Sequence, residues 1–147
     1  MLDIELILHS AGITSNYIGY WLLDSAVDII LENPKYEVEQ VAQFHVSLGW
    51  RQQYAGIRKL LGREDGVTVY FVDNDYYFGN RTGTIYGDMD DGERFAFFSR
   101  AVLEMLPSLD FKPDIIHAND WQSALVPLFY SIFYAGREGY QGIKTAL

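Results

Sequence analysis

The densest group of chemically capable side chains lies at residues 117–122, which read His-Ala-Asn-Asp-Trp-Gln. This stretch combines an imidazole, two amides, a carboxylate and an indole. The polar groups could hydrogen-bond the hydroxyls of a sugar, on which the indole could stack. A purely structural interpretation is equally open, in which Asn119 or Asp120 caps the next helix, Trp121 packs and His117 ends a strand. Residue types alone do not choose between the two.

A second polar and aromatic segment, residues 73–80, follows a predicted strand, and the loop continues to Gly87. Its length indicates a functional loop rather than a simple connection. Asp73 and Asp75 could act as acid and base across a glycosidic bond. Two carboxylates close in sequence are weak support for that chemistry, so scaffolding of the loop is the favoured interpretation.

A third candidate is the acidic group formed by Asp88, Asp90, Asp91 and Glu93. Its spacing does not match a calcium loop, because the later oxygen ligands are missing. A solvated acidic helix N-terminus is favoured over a metal site, and Arg94 is expected to pair with Asp90 or Asp91. The sequence contains no phosphate-binding glycine loop, nucleophile elbow or zinc-protease motif. We therefore propose no metal site from these residues.

The elements that must position these groups follow from hydrophobic periodicity. Residues 41–48 alternate cleanly and predict a half-buried strand that turns at residues 49–51 and returns over 53–61. Residues 67–72 predict a strand covered on both faces, and residues 21–31 a helix. A helix from residue 90 to Pro107 is predicted to bury Phe95, Phe98, Val102 and Met105. A strand at 113–117, a helix at 121–135 bent by Pro127 and capped by Gly136, and a strand from residue 142 complete the prediction.

This succession predicts an α/β fold with a Rossmann-like, mostly parallel sheet flanked by helices. Ligands of such sheets sit at the carboxyl ends of the strands. Residues 73–80 and 117–122 both follow a predicted strand. We therefore expect the two segments to meet at one edge of the sheet.

Composition limits the classes of partner. The 147 residues carry 20 acidic and 11 basic side chains, a formal net charge of −9. This balance argues against bulk electrostatic binding to nucleic acid or to an anionic membrane, and leaves a neutral partner such as a sugar open. Aromatic residues make up 16% of the chain, which suits either a core or stacking on sugars. The chain has no cysteine, and Asp3 and Glu5 stand where a secretory signal would be basic, so a cytoplasmic location is expected.

Four ordered blocks resemble a known enzyme family. Residues 113–127, which read PDIIHANDWQSALVP, look like the hallmark segment of bacterial glycogen synthases and starch synthases. Residues 48–56, 69–78 and 86–99 resemble further blocks of that family in the same order. The resemblance covers about residues 37–147. Four motifs in the same order make the probability of a chance resemblance very small.

The resemblance implies the incomplete N-terminal half of a two-domain GT-B glycosyltransferase that moves glucose from ADP-glucose to an α-1,4-glucan without a cofactor. It implies a poorly matched segment at residues 1–36 and a partial acceptor-side domain at 37–147. The implied catalytic residues are His117 and Asp120. The implied substrate-binding residues are Asn119, Trp121, Gln122, Asp73, Asn74, Tyr76 and Tyr77.

Two departures from the family pattern bear on activity. Residues 1–34 contain no Lys-x-Gly-Gly-Leu loop, which in the family contacts the donor phosphates, and the chain ends at Leu147, where the family would continue into its second domain. We therefore expect a truncated piece that is inactive alone, since transfer needs a positive environment for the departing diphosphate. A non-catalytic glucan-binding module and a decayed gene fragment are the alternative interpretations.

Overall fold

A computed structural model of the chain describes residues 37–79 and 87–147. The predicted helix at residues 21–31 and the loop residues 80–86 lie outside the described residues. The proposed segment boundary at residue 36 falls at their edge. The described strands are β1 (Val38–Leu48), β2 (Arg51–Leu60), β3 (Tyr70–Asp73), β4 (Ile115–His117) and β5 (Lys144–Ala146). The helices are α1 (Asp91–Met105), α2 (Asp120–Ser123) and α3 (Leu125–Phe129), with a 3-10 turn at Leu106–Ser108 and a π-helical turn at Tyr130–Tyr134.

The predicted hairpin at β1 and β2 is confirmed. Its strands pair antiparallel, with Val46 opposite Gln53 and a bulge between Gln40 and Ala42. Val46 is buried and Phe44 is half-buried, while His45 faces solvent, as the alternation predicts. Gly49 in the turn has a φ of 57°, a conformation that glycine adopts at no steric cost.

Strand β3 differs from its prediction. It begins at Tyr70 rather than at Val67, and its residues are half-buried rather than enclosed on both faces. It pairs antiparallel with β2, with Gly56 opposite Asp73. The β-branched run at residues 67–72 overstated the strand, because Val67 and its neighbours lie exposed beside the turn at residue 66.

Helix α1 packs on the hairpin, but through a different face from the predicted one. Its buried positions include Arg94, Phe97 and Ala101, whereas Phe95 and Phe98 are only half-buried. With Val46, Ala55 and Tyr77, Phe97 and Ala101 form the first hydrophobic core. The predicted stripe is displaced because the charged Arg94 is among the buried residues of the helix, where it pairs with Asp91.

The C-terminal part of the chain contains a parallel pair of strands. Strand β4 pairs parallel with β5, and the intervening α2, α3 and π-helical turn form the crossover. The core here contains Leu103, Ala118, Val126, Ile143 and three tyrosines. The hydroxyls of Tyr130 and Tyr140 donate to backbone carbonyls at 2.8 Å, which explains how phenols fit a buried position.

The predicted helix at 121–135 is real but interrupted. It divides into α2, α3 and the π-helical turn, where the Ala135 amide donates to the Tyr130 carbonyl at 2.9 Å. Pro127 falls within α3, where it supplies no amide hydrogen. The predicted Gly136 cap is wrong, since the C-cap is Ala135 in right-handed geometry and Gly136 has no positive φ.

The α/β class is confirmed, with one qualification on the sheet. Within residues 37–79 and 87–147, β1, β2 and β3 form an antiparallel sheet, and the parallel pairing is that of β4 with β5. Strands β3 and β4 therefore lie in separate sheets, and the expected common edge is not formed by strand pairing. No helix in this part of the chain is long and apolar enough to cross a membrane.

Candidate functional site

The turn after β4 displays its polar side chains. His117, Asn119 and Asp120 are exposed, while Ala118 between them is buried and its amide donates to Ala146 of β5 at 2.8 Å. Strand pairing thus fixes the backbone of the turn, and the three neighbouring side chains stay accessible. Such an arrangement suits hydrogen bonding to an incoming polar ligand.

Asp120 has an unusual backbone conformation. Its φ is 62°, and among the described residues it is the one non-glycine residue with a positive φ. Its Oδ1 accepts a hydrogen bond from the Trp121 amide at 2.6 Å. Asn119 occupies the N-cap position, one of the two expected from the sequence, but its side chain makes no cap hydrogen bond. Sparsely populated backbone conformations cluster at functional sites, and the conformation of Asp120 agrees with a functional role of this turn.

Trp121 combines support with exposure. Its indole packs edge-on against the Phe95 ring of α1, with ring centroids 4.9 Å apart and planes at 77°. The residue is nevertheless 48% exposed. Gln122 beside it is half-buried. The indole is therefore held by Phe95 while part of its surface stays open to a ligand.

The loop after β3 holds the second group of predicted site residues. Asn74 is 4% exposed and its side chain is used within the protein, because Nδ2 donates to the Tyr54 carbonyl at 2.5 Å and Oδ1 accepts from the Tyr77 amide at 2.7 Å. A Cβ at Gly79 would lie 2.8 Å from Asp75 Cα, so the loop needs glycine there. Asn74 thus holds the loop together, and a direct contact with substrate stays a prediction.

The remaining loop residues differ in accessibility. Tyr77 is fully buried, and its hydroxyl donates to Glu93 of α1. Burial, followed by the neighbouring Glu93 carboxylate, raises the pKa of Tyr77 well above its usual value. Asp73 forms an ion pair with Arg58 at 2.7 Å. Tyr76 is 55% exposed and is the loop residue best placed to meet a ligand.

Helix α1 connects the two segments that strand pairing leaves apart. Its first turns contact the loop after β3 through Glu93 and Tyr77, and the turn after β4 through Phe95 and Trp121. Glu93 and Phe95 are two residues apart on one helix. The sequence-predicted groups are therefore linked through a shared support, although through a helix rather than a sheet edge.

The acidic group at the start of α1 is partly paired with Arg94. Asp88, Asp90 and Asp91 offer carboxylate oxygens within 4.8 Å of one another. The buried Arg94 pairs with Asp91, as predicted, and lies 3.7 Å from Asp88. The Gly87 amide hydrogen bond and then the Arg94 interaction lower the pKa of Asp91. This bonding fits the structural interpretation of the cluster.

Two residues of this region were not singled out as site residues from the sequence. Trp50 in the hairpin turn is 87% exposed, and the Arg51 guanidinium lies 4.7 Å from its ring centroid. Arg51 Nη1 also donates to the Tyr76 hydroxyl at 2.6 Å. The signal that could have found them is a large aromatic residue in a turn, where burial is not expected.

Comparison with known proteins assigns the family. The family model described as the starch synthase catalytic domain matches residues 24–147. A glycogen synthase of Exiguobacterium sibiricum is 51% identical over 118 residues, covering 79% of this chain and 24% of that protein. A glycogen synthase of Desulfitobacterium hafniense is 43% identical over 144 residues, covering 91% of this chain and 30% of that protein.

A solved structure agrees with this assignment. The catalytic domain of starch synthase IV from Arabidopsis thaliana, bound to ADP and acarbose, matches with a TM-score of 0.62 and 30% identity over 75% of this chain and 22% of that one. The chain belongs to the starch synthase catalytic domain family, a family of glycosyltransferases. It spans between about a fifth and a third of the length of these relatives.

Proposed function

We propose that this chain supplies the glucan-side part of a glucosyltransferase that moves glucose from ADP-glucose to the non-reducing end of an α-1,4-glucan. The observation that supports the proposal best is the turn after β4. It presents exposed His117, Asp120 and Trp121 within the segment that matches the family. The starch synthase IV relative was bound to ADP and acarbose, a ligand pair that is consistent with a nucleotide-sugar donor and a glucan acceptor.

In this proposal the residues of the turn have distinct tasks. Trp121, held by Phe95, offers an aromatic surface to a sugar ring. His117 and Asp120, both exposed, stand where they can bond hydroxyls near the transferred glucose. Asn119 and Gln122 add amide groups that can donate and accept hydrogen bonds. Tyr76, in the loop after β3, extends the polar surface toward the hairpin.

The ion pairs of three arginines support the proposal that other residues bind the donor phosphates. A departing diphosphate needs positive groups that are available to it. Among the described residues, three arginines near the two polar segments already pair with carboxylates: Arg51 with Glu93, Arg58 with Asp73 and Arg94 with Asp91. We therefore propose that transfer requires donor-binding groups beyond those described, and that residues 37–147 form an acceptor-side unit.

A chimeric enzyme tests the proposal. Residues 37–147 would replace the matching segment of the Exiguobacterium sibiricum glycogen synthase, and transfer of labelled glucose from ADP-glucose to maltoheptaose would be measured. We expect the chimera to be active, and His117→Ala and Asp120→Asn to lower kcat by at least about 100-fold. A folded chimera whose activity is unaffected by either substitution would overturn the assigned roles.

A second candidate function is binding of glucan without transfer by this chain. The observation that favours it is the pairing of the three arginines combined with exposed aromatic rings at Trp50, Tyr76 and Trp121. The isolated chain would then bind maltoheptaose and show no transfer with ADP-glucose. Transfer by the purified 147-residue chain would contradict this candidate. It would also contradict the proposal that transfer requires further donor-binding groups.

A further inference from the structure

Three side chains from the hairpin tip and the loop after β3 form a stacked group that the turn after β4 does not include. The Arg51 guanidinium lies over the Trp50 ring at 4.7 Å and over the Tyr76 ring at 5.3 Å from their centroids. We call Trp50, Arg51 and Tyr76 the aromatic platform. It joins the β1–β2 turn to the loop after β3, two segments that are 25 residues apart in sequence.

Contacts with helix α1 and with the buried Tyr77 hold the platform in place. Arg51 Nη1 donates to the Tyr76 hydroxyl at 2.6 Å and lies 2.8 Å from Glu93 Oε1 on α1. Glu93 also accepts from the buried Tyr77 hydroxyl, and the Tyr76 ring packs edge-on against Tyr77 with centroids 4.9 Å apart. The platform is therefore fixed to a buried residue and to the helix. Its geometry exists before any ligand arrives, which lowers the entropic cost of binding.

The aromatic surface is nevertheless left open. Trp50 is 87% exposed and Tyr76 is 55% exposed. An indole in water forgoes the favourable burial that a core position would give. The structure thus combines a well-fixed arrangement with a large exposed apolar area, which is typical of a surface on which a ligand stacks.

The charge around the platform selects among flat ligands. The Arg51 charge is balanced by Glu93, and Asp88 and Asp91 lie at the start of the same helix as Glu93. A diphosphate would find no uncompensated cation at the platform and would meet this acidic helix terminus, within a chain of net charge −9. A neutral pyranose ring has one face of C–H groups that can stack on an indole and hydroxyls that can bond Arg51 and Tyr76.

We propose that the aromatic platform of Trp50, Arg51 and Tyr76 is a binding site for a neutral α-glucan chain, separate from the turn after β4. The ligand class rests on the proposed function, whereas the site itself rests on the exposure and stacking of these three residues. The platform retains the acceptor chain, and Trp50 and Arg51 have no part in the transfer of glucose.

Isothermal titration of the 147-residue chain with maltoheptaose tests the site. We expect Trp50→Ala to raise Kd about tenfold, since an aromatic anchor dominates such a contact. Arg51→Lys keeps the charge opposite Glu93 but loses the planar group that stacks, and should raise Kd by a smaller factor of about three. Phe111→Ala is the matched control, because Phe111 is 52% exposed and outside the platform. It should leave Kd unchanged.

The outcomes separate this proposal from the proposed function. Equal maltoheptaose affinity in the wild type and Trp50→Ala, with loss in Trp121→Ala, overturns the platform and leaves the proposed function standing. A platform effect on binding in a chain whose chimera transfers no glucose supports the platform and overturns the function. Competition between ADP and maltoheptaose that Trp50→Ala abolishes would show a nucleotide site instead, and would overturn the glucan assignment.

Discussion

Asp120 shows how a single backbone conformation can shape the candidate site. A residue with a Cβ pays steric energy in the left-handed region, and Asp and Asn pay less than most because they bond locally. Asp120 has a φ of 62° and accepts from the Trp121 amide. This geometry holds the carboxylate at the backbone amide of Trp121, at the exposed end of β4.

Substitution of Asp120 should separate stability from chemistry. Asn keeps both the local hydrogen bond and the tolerance for this φ, so we expect Asp120→Asn to change the free energy of unfolding by less than about 0.5 kcal/mol. Asp120→Ala loses the bond and bears the full steric cost, about 1–2 kcal/mol. Urea denaturation of the two variants measures the difference. Equal stability of both variants would contradict the strained turn.

Buried tyrosines make the stability of the protein sensitive to alkaline pH. Burial, followed by the hydrogen bond to Glu104, raises the pKa of Tyr134 to about 12. The unfolded chain ionises its tyrosines near pH 10, so the stabilising contribution of Tyr134 is complete below about pH 10 and is lost as the pH rises toward 12.

Tyr134→Phe should remove this part of the alkaline loss. We expect the free energy of unfolding of the wild type to fall more steeply between pH 10 and pH 12 than that of the variant, by at most about 1.4 kcal/mol per pH unit. Below pH 10 the two curves should run parallel. Urea unfolding at a series of pH values measures both curves, and equal slopes above pH 10 would contradict the assignment.

Sequence reasoning at this scale found the chemical groups but not their use. The types and order of residues 117–122 were enough to select the turn after β4. The role of Asn74 was not accessible, because its partner is the carbonyl of Tyr54, 20 residues away. The positive φ of Asp120 was not predictable either, because no local sequence pattern indicates which non-glycine residue adopts the left-handed conformation. The proposed contacts of Asp73, Asn74, Tyr76 and Tyr77 with substrate stay predictions.

At the scale of elements, helix α1 is the part that links the two candidate segments. Phe97 on its buried face packs against Tyr77, with ring centroids 4.8 Å apart, and Phe95 on the adjacent face packs against Trp121. Core burial and site support are therefore assigned to neighbouring positions of one helix. The 3.6-residue period predicted a helix here but placed its buried stripe on the wrong residues, since Arg94 carries a charge that the pattern treats as exposed.

Matched substitutions on α1 test this assignment. Phe97 is fully buried, so Phe97→Ala should lower the free energy of unfolding by about 3–5 kcal/mol. Phe95→Ala, at a half-buried position, should cost about half as much or less. Guanidinium denaturation of both variants gives the comparison, and Phe97→Leu serves if the alanine variant does not fold. A larger loss at Phe95 than at Phe97 would restore the stripe that the sequence predicted.

The positions of the strands were predicted better than the pairing between them. The hairpin of β1 and β2 followed from strict alternation and a glycine turn, both local signals. The placement of β3 beside β2 rather than in a sheet with β4 is a long-range pairing, which no local pattern specifies. The interruption of the crossover helix followed in part from Pro127, whereas the π-helical turn after it had no signal in the sequence.

At the scale of the whole molecule, the high aromatic content serves two purposes. Tyr77, Tyr130, Tyr134 and Tyr140 fill the two cores, while Trp50, Tyr76 and Trp121 stay exposed around the hairpin tip and the turn after β4. Composition could not divide the aromatic residues between core and surface. The family was accessible from sequence because four blocks match in order, and the family match to residues 24–147 confirms it. The division at residue 36 stays a prediction.

In the proposed function, the turn after β4 contacts the glucan. The most direct measurement is a two-dimensional amide NMR titration of the 147-residue chain with maltoheptaose. We expect the Trp121 indole signal and the backbone amides of His117 and Asp120 to shift progressively and to saturate, while the amide of the exposed Phe111 stays in place. Saturating binding that leaves all three signals of the turn unchanged, or a folded chain with no shifts at millimolar sugar, would contradict this contact.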